Sequence, residues 1–215
     1  MSDIINQTID FVKLTLKNAE TGHDWFHIER VFKTAQTINA KENGDELVVA
    51  LAALLHDIAD SKFNNGDEEL GPQKAGDFLA SLGVQQEVIL HVQQIIRNLS
   101  FKASFGEILF HSKELDIVQD ADRLDAIGAI GIARAFTYGG YKNRVLYDPS
   151  ILPNLKMTKE EYKQTTAPTV NHFYEKLLLL KDLMKTETGK KMADQRHQFM
   201  LTYLDQFYQE WEGNL

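Results

Sequence analysis

The stretch Val48-Val49-Ala50-Leu51-Ala52-Ala53-Leu54-Leu55 is the most apolar run of the chain, and it ends in His56-Asp57. Asp45 or Glu46 can begin a helix here, with Leu and Ala side chains facing nearly every direction. A helix that is apolar all round is typical of a central position with neighbours on most sides. Burying a carboxylate beside it is costly unless that carboxylate is paired or bound to a metal. The His-Asp pair is therefore either a metal-binding pair or the solvated end of the helix.

The sequence on both sides of this run also follows a helical period. Near the N-terminus, Ile5, Ile9, Val12 and Leu16 repeat at spacings of four, three and four residues, as on one face of a helix. Between Tyr141 and Thr166 the helical pattern fails. We predict an all-α fold, with further helices at about 24–41, 72–83, 86–97, 113–136, 169–184 and 189–211. The helix at 113–136 is predicted to bend near Gly128 or Gly131 and to stop at Tyr138-Gly139-Gly140.

The composition excludes several classes of protein. The chain has 215 residues, 43% of them hydrophobic, a net charge of −8 and no cysteine. A disulfide scaffold, a thiolate zinc site and a cysteine nucleophile are excluded, so any metal must be held by His, Asp or Glu. The acidic balance argues against a broad nucleic-acid surface. No secretion signal and no apolar run of about 20 residues is present, so we expect a cytoplasmic protein with no membrane partner.

Two further clusters contain side chains that can bind a metal. In His23-Asp24-Trp25-Phe26-His27, the two histidines share a face if the helix already begins at His23. In Gln119-Asp120-Ala121-Asp122-Arg123-Leu124-Asp125, three acids lie among apolar neighbours. On a helix, Asp122 and Asp125 are one turn apart while Asp120 points elsewhere. These residues alone leave open which of the two histidines and which of the three acids would bind a metal.

These clusters, in this order, resemble the HD-domain metal-dependent phosphohydrolases. The resemblance extends over nearly the whole chain and is closest to the small bacterial branch of YedJ/YpgQ-like proteins. It implies a helical HD bundle with a C-terminal helical pair, as one unit over 1–215: a core at about 20–138, a loop at 139–167 and a helical cover at 168–215. The motifs that carry it are His23–Val31, Leu55-His56-Asp57-Ile58, Ile117–Gly131, His172–Leu178 and Met184–Lys190.

The resemblance also implies the site. The expected metal ligands are His27, His56, Asp57 and Asp122, and Asp60 is expected to handle a proton, with His23 and Asp24 orienting a ligand. Two His and two Asp suit a divalent ion, with Mn²⁺ or Mg²⁺ favoured over Ni²⁺, Co²⁺, Zn²⁺ or Fe²⁺. The metal would lower the pKa of a bound water and polarise a phosphoryl oxygen. Asp57, as a ligand at the centre of the site, is counted among the catalytic residues.

The substrate implied by the resemblance is a small phosphorylated molecule, in particular a nucleotide such as a (deoxy)nucleoside triphosphate cleaved to the monophosphate and pyrophosphate. A phosphate group needs positive charge, and Arg suits bidentate contact while Lys suits a point contact. The amphipathic terminal helices are compatible with a homodimer. The predicted substrate-binding residues are Lys62, Arg123, Arg134, His172 and Lys176.

Two rival functions stay open at this point. A dinuclear HD phosphodiesterase or oxygenase would add histidines between the His-Asp pair and the final Asp, and His91 and His111 lie in that interval. Relatives of this branch often carry a His where this chain has Leu99. A degenerate HD protein would bind a nucleotide without cleaving it. All four implied ligands are intact, which favours the enzyme.

Overall fold

The computed structural model describes residues 2–17, 24–59, 67, 69–99, 110–157 and 165–215, and its regular elements are helices. The prediction of an all-α fold is confirmed. In this part of the chain we find no helix both long and apolar enough to cross a membrane. The helices are α1 (Ser2–Thr15), α2 (Trp25–Glu42), α3 (Glu46–Leu55), α4 (Leu70–Ser81), α5 (Gln86–Leu99), α6 (Lys113–Asp125), α7 (Gly128–Tyr141), a short helix Asn171–Glu175, a 3-10 helix Leu177–Leu183 and the C-terminal helix Glu187–Trp211.

The described chain divides into two compact units. The first holds residues 1–122 and 185–189, and the second holds 123–184 and 190–215. The divisions fall inside α6, between residues 184 and 185, and inside the C-terminal helix. The single unit expected from the sequence stays a prediction.

Helix α3 is the centre of the first unit. All its residues from Val48 to Leu55 are buried, and the helix packs against α1, α2 and α5. Asp45 begins it by accepting hydrogen bonds from the backbone amides of Leu47 and Val48 at 2.9 and 3.0 Å. Asn43, in the left-handed conformation, ends α2 just before it. The short turn between α2 and α3 brings the start of α2 to the end of α3, where His56 follows.

In the second unit, aromatic rings join α7 to the segments that follow it. Phe136 lies 5.8 Å from Phe173 and 6.1 Å from Tyr203, measured between ring centroids. Tyr147 meets Phe207 and Trp211 edge to face, at 5.8 and 5.0 Å. Such pairs add stability beyond the area they bury. They fix the described part of the loop against the C-terminal helix.

The predicted helix at 113–136 is two helices. α6 ends at Asp125 and α7 begins at Gly128, whose φ of +76° is a left-handed value suited to glycine. The expected stop at Tyr138-Gly139-Gly140 is wrong, because α7 continues to Tyr141. A Cβ at Gly139 would overlap the Thr169 side chain, so this glycine permits a close contact instead of ending the helix.

The predicted helix at 169–184 is also interrupted. The short helix ends at Glu175, and the chain turns at Lys176 (φ −146°, ψ −56°) into the 3-10 helix. The loop expected between Tyr141 and Thr166 holds no helix in its described residues, 142–157 and 165–166.

Candidate metal centre

His27 is positioned by the start of α2. Asp24 is the N-cap, and its Oδ1 accepts a hydrogen bond from the His27 backbone amide at 3.0 Å. This bond satisfies one of the four amides that a helix leaves without an internal partner. The His27 imidazole is 3% exposed. The cap thus sets the position of a buried imidazole in the first turn of α2.

His56 is positioned by the end of α3. Its Nδ1 lies 2.9 Å from the carbonyl oxygen of Ala53, one turn earlier. Because a carbonyl can only accept, the Nδ1 proton is donated to it and the Nε2 lone pair stays available. That Nε2 lies 3.3 Å from Nε2 of His27. Donation from the second ring nitrogen to a carbonyl is the usual way in which proteins orient a metal-binding histidine.

Two carboxylates join the imidazoles. One ligand atom each from His27, His56 and Asp57 can be chosen so that all three lie within 4.8 Å of one another. Oδ1 of Asp122, on α6, lies 3.5 Å from Nε2 of His27 and 3.9 Å from Nε2 of His56. The four residues predicted as metal ligands therefore converge in the first unit, from α2, the end of α3 and α6.

The donor set and its spacing suit a divalent cation. With bonds of about 2.1 Å, two adjacent ligand atoms lie about 3.0 Å apart around an octahedral ion and about 3.4 Å apart around a tetrahedral one. The 3.3 Å between the Nε2 atoms of His27 and His56 matches this range. Asp57 and Asp122 add two negative charges, which a dication would neutralise. Imidazole with carboxylate is a donor set that the divalent first-row metals accept.

The three acids in the last two turns of α6, Asp120, Asp122 and Asp125, have three different environments. Asp120 is fully buried, and its carboxylate accepts hydrogen bonds from the backbone amides of Lys185 (2.9 Å) and Thr186 (2.8 Å) and from the Thr186 hydroxyl (2.7 Å). Asp125 is 4% exposed and pairs with Arg134, whose Nη1 donates to its Oδ2 at 2.5 Å. Asp122 is the acid of this helix that lies against the histidines.

The two histidines that would extend the site to two metals lie elsewhere in the first unit. His91 Nε2 is 2.9 Å from the Ser112 hydroxyl and 3.6 Å from Oε2 of Glu114. His111 lines an open cavity of about 450 Å³ together with Glu42, Lys113 and Lys185. Within the described residues, the group around His27 is the one cluster of three or more His, Cys, Asp or Glu side chains close enough to hold an ion.

Four of the predicted substrate-binding residues belong to the second unit. Arg123 donates from Nη1 to the carbonyl of Leu183 at 2.5 Å, and Arg134 is engaged by Asp125. His172 and Lys176 are one helical turn apart at the short helix, where the Lys176 amide donates to the His172 carbonyl at 3.1 Å. The predicted residues His23, Asp60 and Lys62 lie outside the described residues.

The structure adds two groups that sequence reasoning missed. The Ala53 carbonyl orients His56, and the only signal for it is its position three residues before the histidine on a helix that ends there. Arg144 acts on His172: burial, followed by the charges of Lys176 and Arg144, lowers the pKa of His172 from 6.5 to about 4. No sequence pattern links two residues so far apart in a loop and a helix.

Comparisons with known proteins identify the family to which the chain belongs. A family model described as HD domain matches residues 25–127, a range that contains all four predicted metal ligands. YpgQ of Bacillus subtilis is 37% identical over 205 residues, which are 94% of this chain and 91% of YpgQ. A crystal structure of YpgQ in complex with ADP covers 97% of this chain and 95% of its own, with a TM-score of 0.75. The crystal structure of an HD-superfamily hydrolase from Bacillus thuringiensis is 45% identical, covers 98% of both chains and has a TM-score of 0.79.

Proposed function

This chain belongs to the HD superfamily of hydrolases, and we propose that it is a metal-dependent phosphohydrolase that cleaves a phosphoanhydride or phosphoester bond of a nucleotide. The observation that carries the proposal is the convergence of two imidazole Nε2 atoms, 3.3 Å apart, on the carboxylate of Asp122. Buried imidazoles that face acids in this way are typical of a site whose ligands share one ion.

In the proposed reaction, His27, His56, Asp57 and Asp122 would hold Mn²⁺ or Mg²⁺. When bound there, a divalent ion would supply Lewis acidity that lowers the pKa of a water and balances phosphoryl charge. The Ala53 carbonyl keeps His56 in the tautomer whose Nε2 can bind. Asp60, predicted three residues after Asp57, takes the proton of the attacking water, and His23 orients a ligand. Both of these roles stay predictions.

A nucleotide is the favoured substrate class. The YpgQ crystal structure in complex with ADP supports it, since YpgQ is similar to this chain over nearly its whole length. The specific reaction we propose releases pyrophosphate from a (deoxy)nucleoside triphosphate. His172 and Lys176 are the favoured phosphate contacts. To contact the substrate, Arg123 would have to give up its hydrogen bond to the Leu183 carbonyl, and Arg134 its bond to the Asp125 carboxylate. Lys62 stays a predicted contact outside the described residues.

A panel of nucleoside mono-, di- and triphosphates, incubated with Mn²⁺, tests the proposal when phosphate and pyrophosphate are measured separately. We expect turnover of at least one nucleotide and its loss in His56→Ala, together with loss of bound metal. His91→Ala is the matched control, because His91 bonds to Ser112 away from the cluster. Binding without turnover of any compound would instead identify a nucleotide sensor. Two tightly held ions per chain would contradict a mononuclear centre.

A further inference from the structure

The start of α3 is completed by a side chain of another helix. In a capping box, the third residue of a helix is Glu or Gln, and its side chain accepts a hydrogen bond from the amide of the N-cap residue. In α3 the N-cap is Asp45 and the third residue is Val48, which is buried and has no side-chain acceptor. Glu114, in the first turn of α6, takes this place, because its Oε1 accepts a hydrogen bond from the Asp45 amide at 2.9 Å. An acceptor far away in sequence therefore closes the cap of α3.

Two more contacts hold the first turns of α6 against the turn that joins α2 and α3. Nζ of Lys113 donates to the carbonyl of Asn43 at 3.3 Å. A Cβ added to Gly44 would lie 3.0 Å from Cδ1 of Ile117 and 3.1 Å from Oε1 of Glu114, so the missing side chain lets the two segments come together. These contacts all lie in the first unit. We refer to their residues as the α6 junction: Asn43, Gly44, Asp45, Lys113, Glu114 and Ile117.

The two helices that meet at the α6 junction lead to predicted metal ligands. α3 begins at the junction and is followed by His56 and Asp57, about 16 Å away at about 1.5 Å per residue. On α6, Asp122 lies two turns after Glu114, at a distance of about 12 Å. Packed helices transmit a displacement along their length because protein interiors have low compressibility. A shift of α6 against α3 at the junction would therefore move Asp122 relative to the imidazoles.

We propose that Glu114 is a positioning residue for the metal centre. The hydrogen bond that it accepts from Asp45 sets the register of α6 along α3 and thereby holds Asp122 against the two imidazoles. The inference rests on the proposed function, because it takes the four predicted ligands as the metal centre. The Glu114 side chain is only 14% exposed, so water competes little for Oε1. Its Oε2 lies 3.6 Å from Nε2 of His91, which is longer than a hydrogen bond, so the role does not depend on this histidine.

Calorimetric titration of the full chain with Mn²⁺ tests this role. Glu114→Ala removes the acceptor, and we expect the Mn²⁺ affinity to fall by about three- to thirtyfold, the range typical of residues that act on a site through packed elements. Glu114→Gln keeps an acceptor oxygen of the kind that serves in capping boxes, so it should restore most of the affinity. Wild-type affinity in Glu114→Ala, or an equal loss in Glu114→Gln, would overturn the proposal.

Two controls separate positioning from a general loss of stability. Glu69→Ala also removes a carboxylate that joins two helices of the first unit, because Glu69, just before α4, accepts from Nε of Arg97 on α5 at 2.9 Å. Neither α4 nor α5 contains a predicted metal ligand, so this variant should keep wild-type Mn²⁺ affinity. His91→Ala removes the group that faces Oε2 and should also keep it. A loss in either control as large as that in Glu114→Ala would overturn the proposal.

Two further readouts follow the effect from the α6 junction to the metal. Hydrogen exchange at the Asp45 amide should be faster in Glu114→Ala, because the amide loses its acceptor, and should return towards the wild-type rate in Glu114→Gln. The visible absorption of bound Co²⁺ reports the arrangement of ligands around the ion. We expect it to change in Glu114→Ala and to be restored in Glu114→Gln. Faster exchange at Asp45 with a wild-type Co²⁺ spectrum would show a purely local cap and would contradict the proposal.

Turnover separates this inference from the proposed function. If the wild-type chain binds Mn²⁺ but hydrolyses no nucleotide, the proposed function fails, and the Mn²⁺ titrations still decide the role of Glu114. If the wild-type chain hydrolyses a nucleotide and Glu114→Ala keeps its Mn²⁺ affinity and Co²⁺ spectrum, the inference fails and the proposed function stands. A wild-type chain that binds no divalent metal would overturn both.

Discussion

Asp120→Asn should destabilise the protein strongly while leaving its metal affinity intact, and Asp122→Asn should do the reverse. The two acids are two positions apart on α6, and both changes replace a carboxylate by an amide of the same shape. Their different environments therefore separate a structural role from a metal-binding one. A comparison of the two variants tests the assignment of Asp122 directly.

The expected loss in Asp120→Asn follows from its hydrogen bonds. The carboxylate accepts from the Lys185 amide, the Thr186 amide and the Thr186 hydroxyl, and it is fully buried. An amide has one acceptor oxygen, and its NH₂ group would face one or two of these donors. Each buried donor left unsatisfied costs about 1–3 kcal/mol, so we expect a loss of about 2–5 kcal/mol. At about 2–4 °C per kcal/mol, Tm should fall by roughly 4–20 °C.

The expected loss in Asp122→Asn is in metal binding. Its side chain is 37% exposed, so the amide can be solvated and the free energy of unfolding should change by less than about 1 kcal/mol. Removing even a group that only supports a ligand costs about 10–100-fold in metal affinity, so losing the ligand itself should cost at least about 100-fold. Calorimetric titration with Mn²⁺ measures the affinity.

Chemical denaturation of the metal-free proteins measures the stability half of the comparison. Asp77→Asn is the control, because Asp77 is exposed in the middle of α4 and its change should stay within about 0.5 kcal/mol. The reasoning is refuted if Asp122→Asn binds Mn²⁺ like the wild type. It is also refuted if folded Asp120→Asn loses metal affinity as Asp122→Asn does.

Three further predictions concern the stability of the fold. Asp125→Asn should cost about 1–3 kcal/mol in urea denaturation, because it leaves the partly buried Arg134 without its carboxylate partner; an unchanged midpoint would contradict the pairing. Gly189→Ala should cost about 1–3 kcal/mol, because the added Cβ would overlap Oδ2 of Asp120, and wild-type Tm would be evidence against that close contact. The pKa of His172 is lowered from 6.5 to about 4 in the folded chain. Between pH 6.5 and about pH 4 the unfolded chain therefore binds more protons than the native one, so stability should fall as the pH decreases through this range. His172→Asn should flatten this part of the pH profile, and an equally steep profile in the variant would exclude His172 as the cause.

The sequence predicted most helices and a bend near Gly128 or Gly131, but not the interruption of the helix at 169–184. The run that ends at Leu55 is apolar on all sides, and the structure buries it completely. The sequence predicted a bend near Gly128 or Gly131, and the chain does turn through a left-handed Gly128. That the bend is a full break between α6 and α7 was not predicted, because both sides continue the helical period. The glycine at 139 was misread as a stop because its role, close contact with Thr169, depends on a distant segment.

The candidate site was predicted unevenly for a similar reason. The His-Asp pair stood out because an acid beside a buried run is costly, and the resemblance to HD-domain proteins named four ligands. The cations had no such signal, because a lysine or arginine looks the same in a sequence whether it meets a carboxylate or a substrate. In the structure, Arg134 meets Asp125 and Arg123 meets the Leu183 carbonyl.

By itself, then, the sequence determined the helical class, the family and the residue types that can hold a metal, since cysteine is absent and the histidines and acids occur in a recognisable order. Only the tertiary structure decided what Asp120, Asp122 and Asp125 of α6 do. Successive helical positions point about 100° apart. Asp120 therefore meets the backbone of residues 185–186, Asp122 meets the imidazoles, and Asp125 meets Arg134. The partner that lies in each direction is set by other segments of the chain.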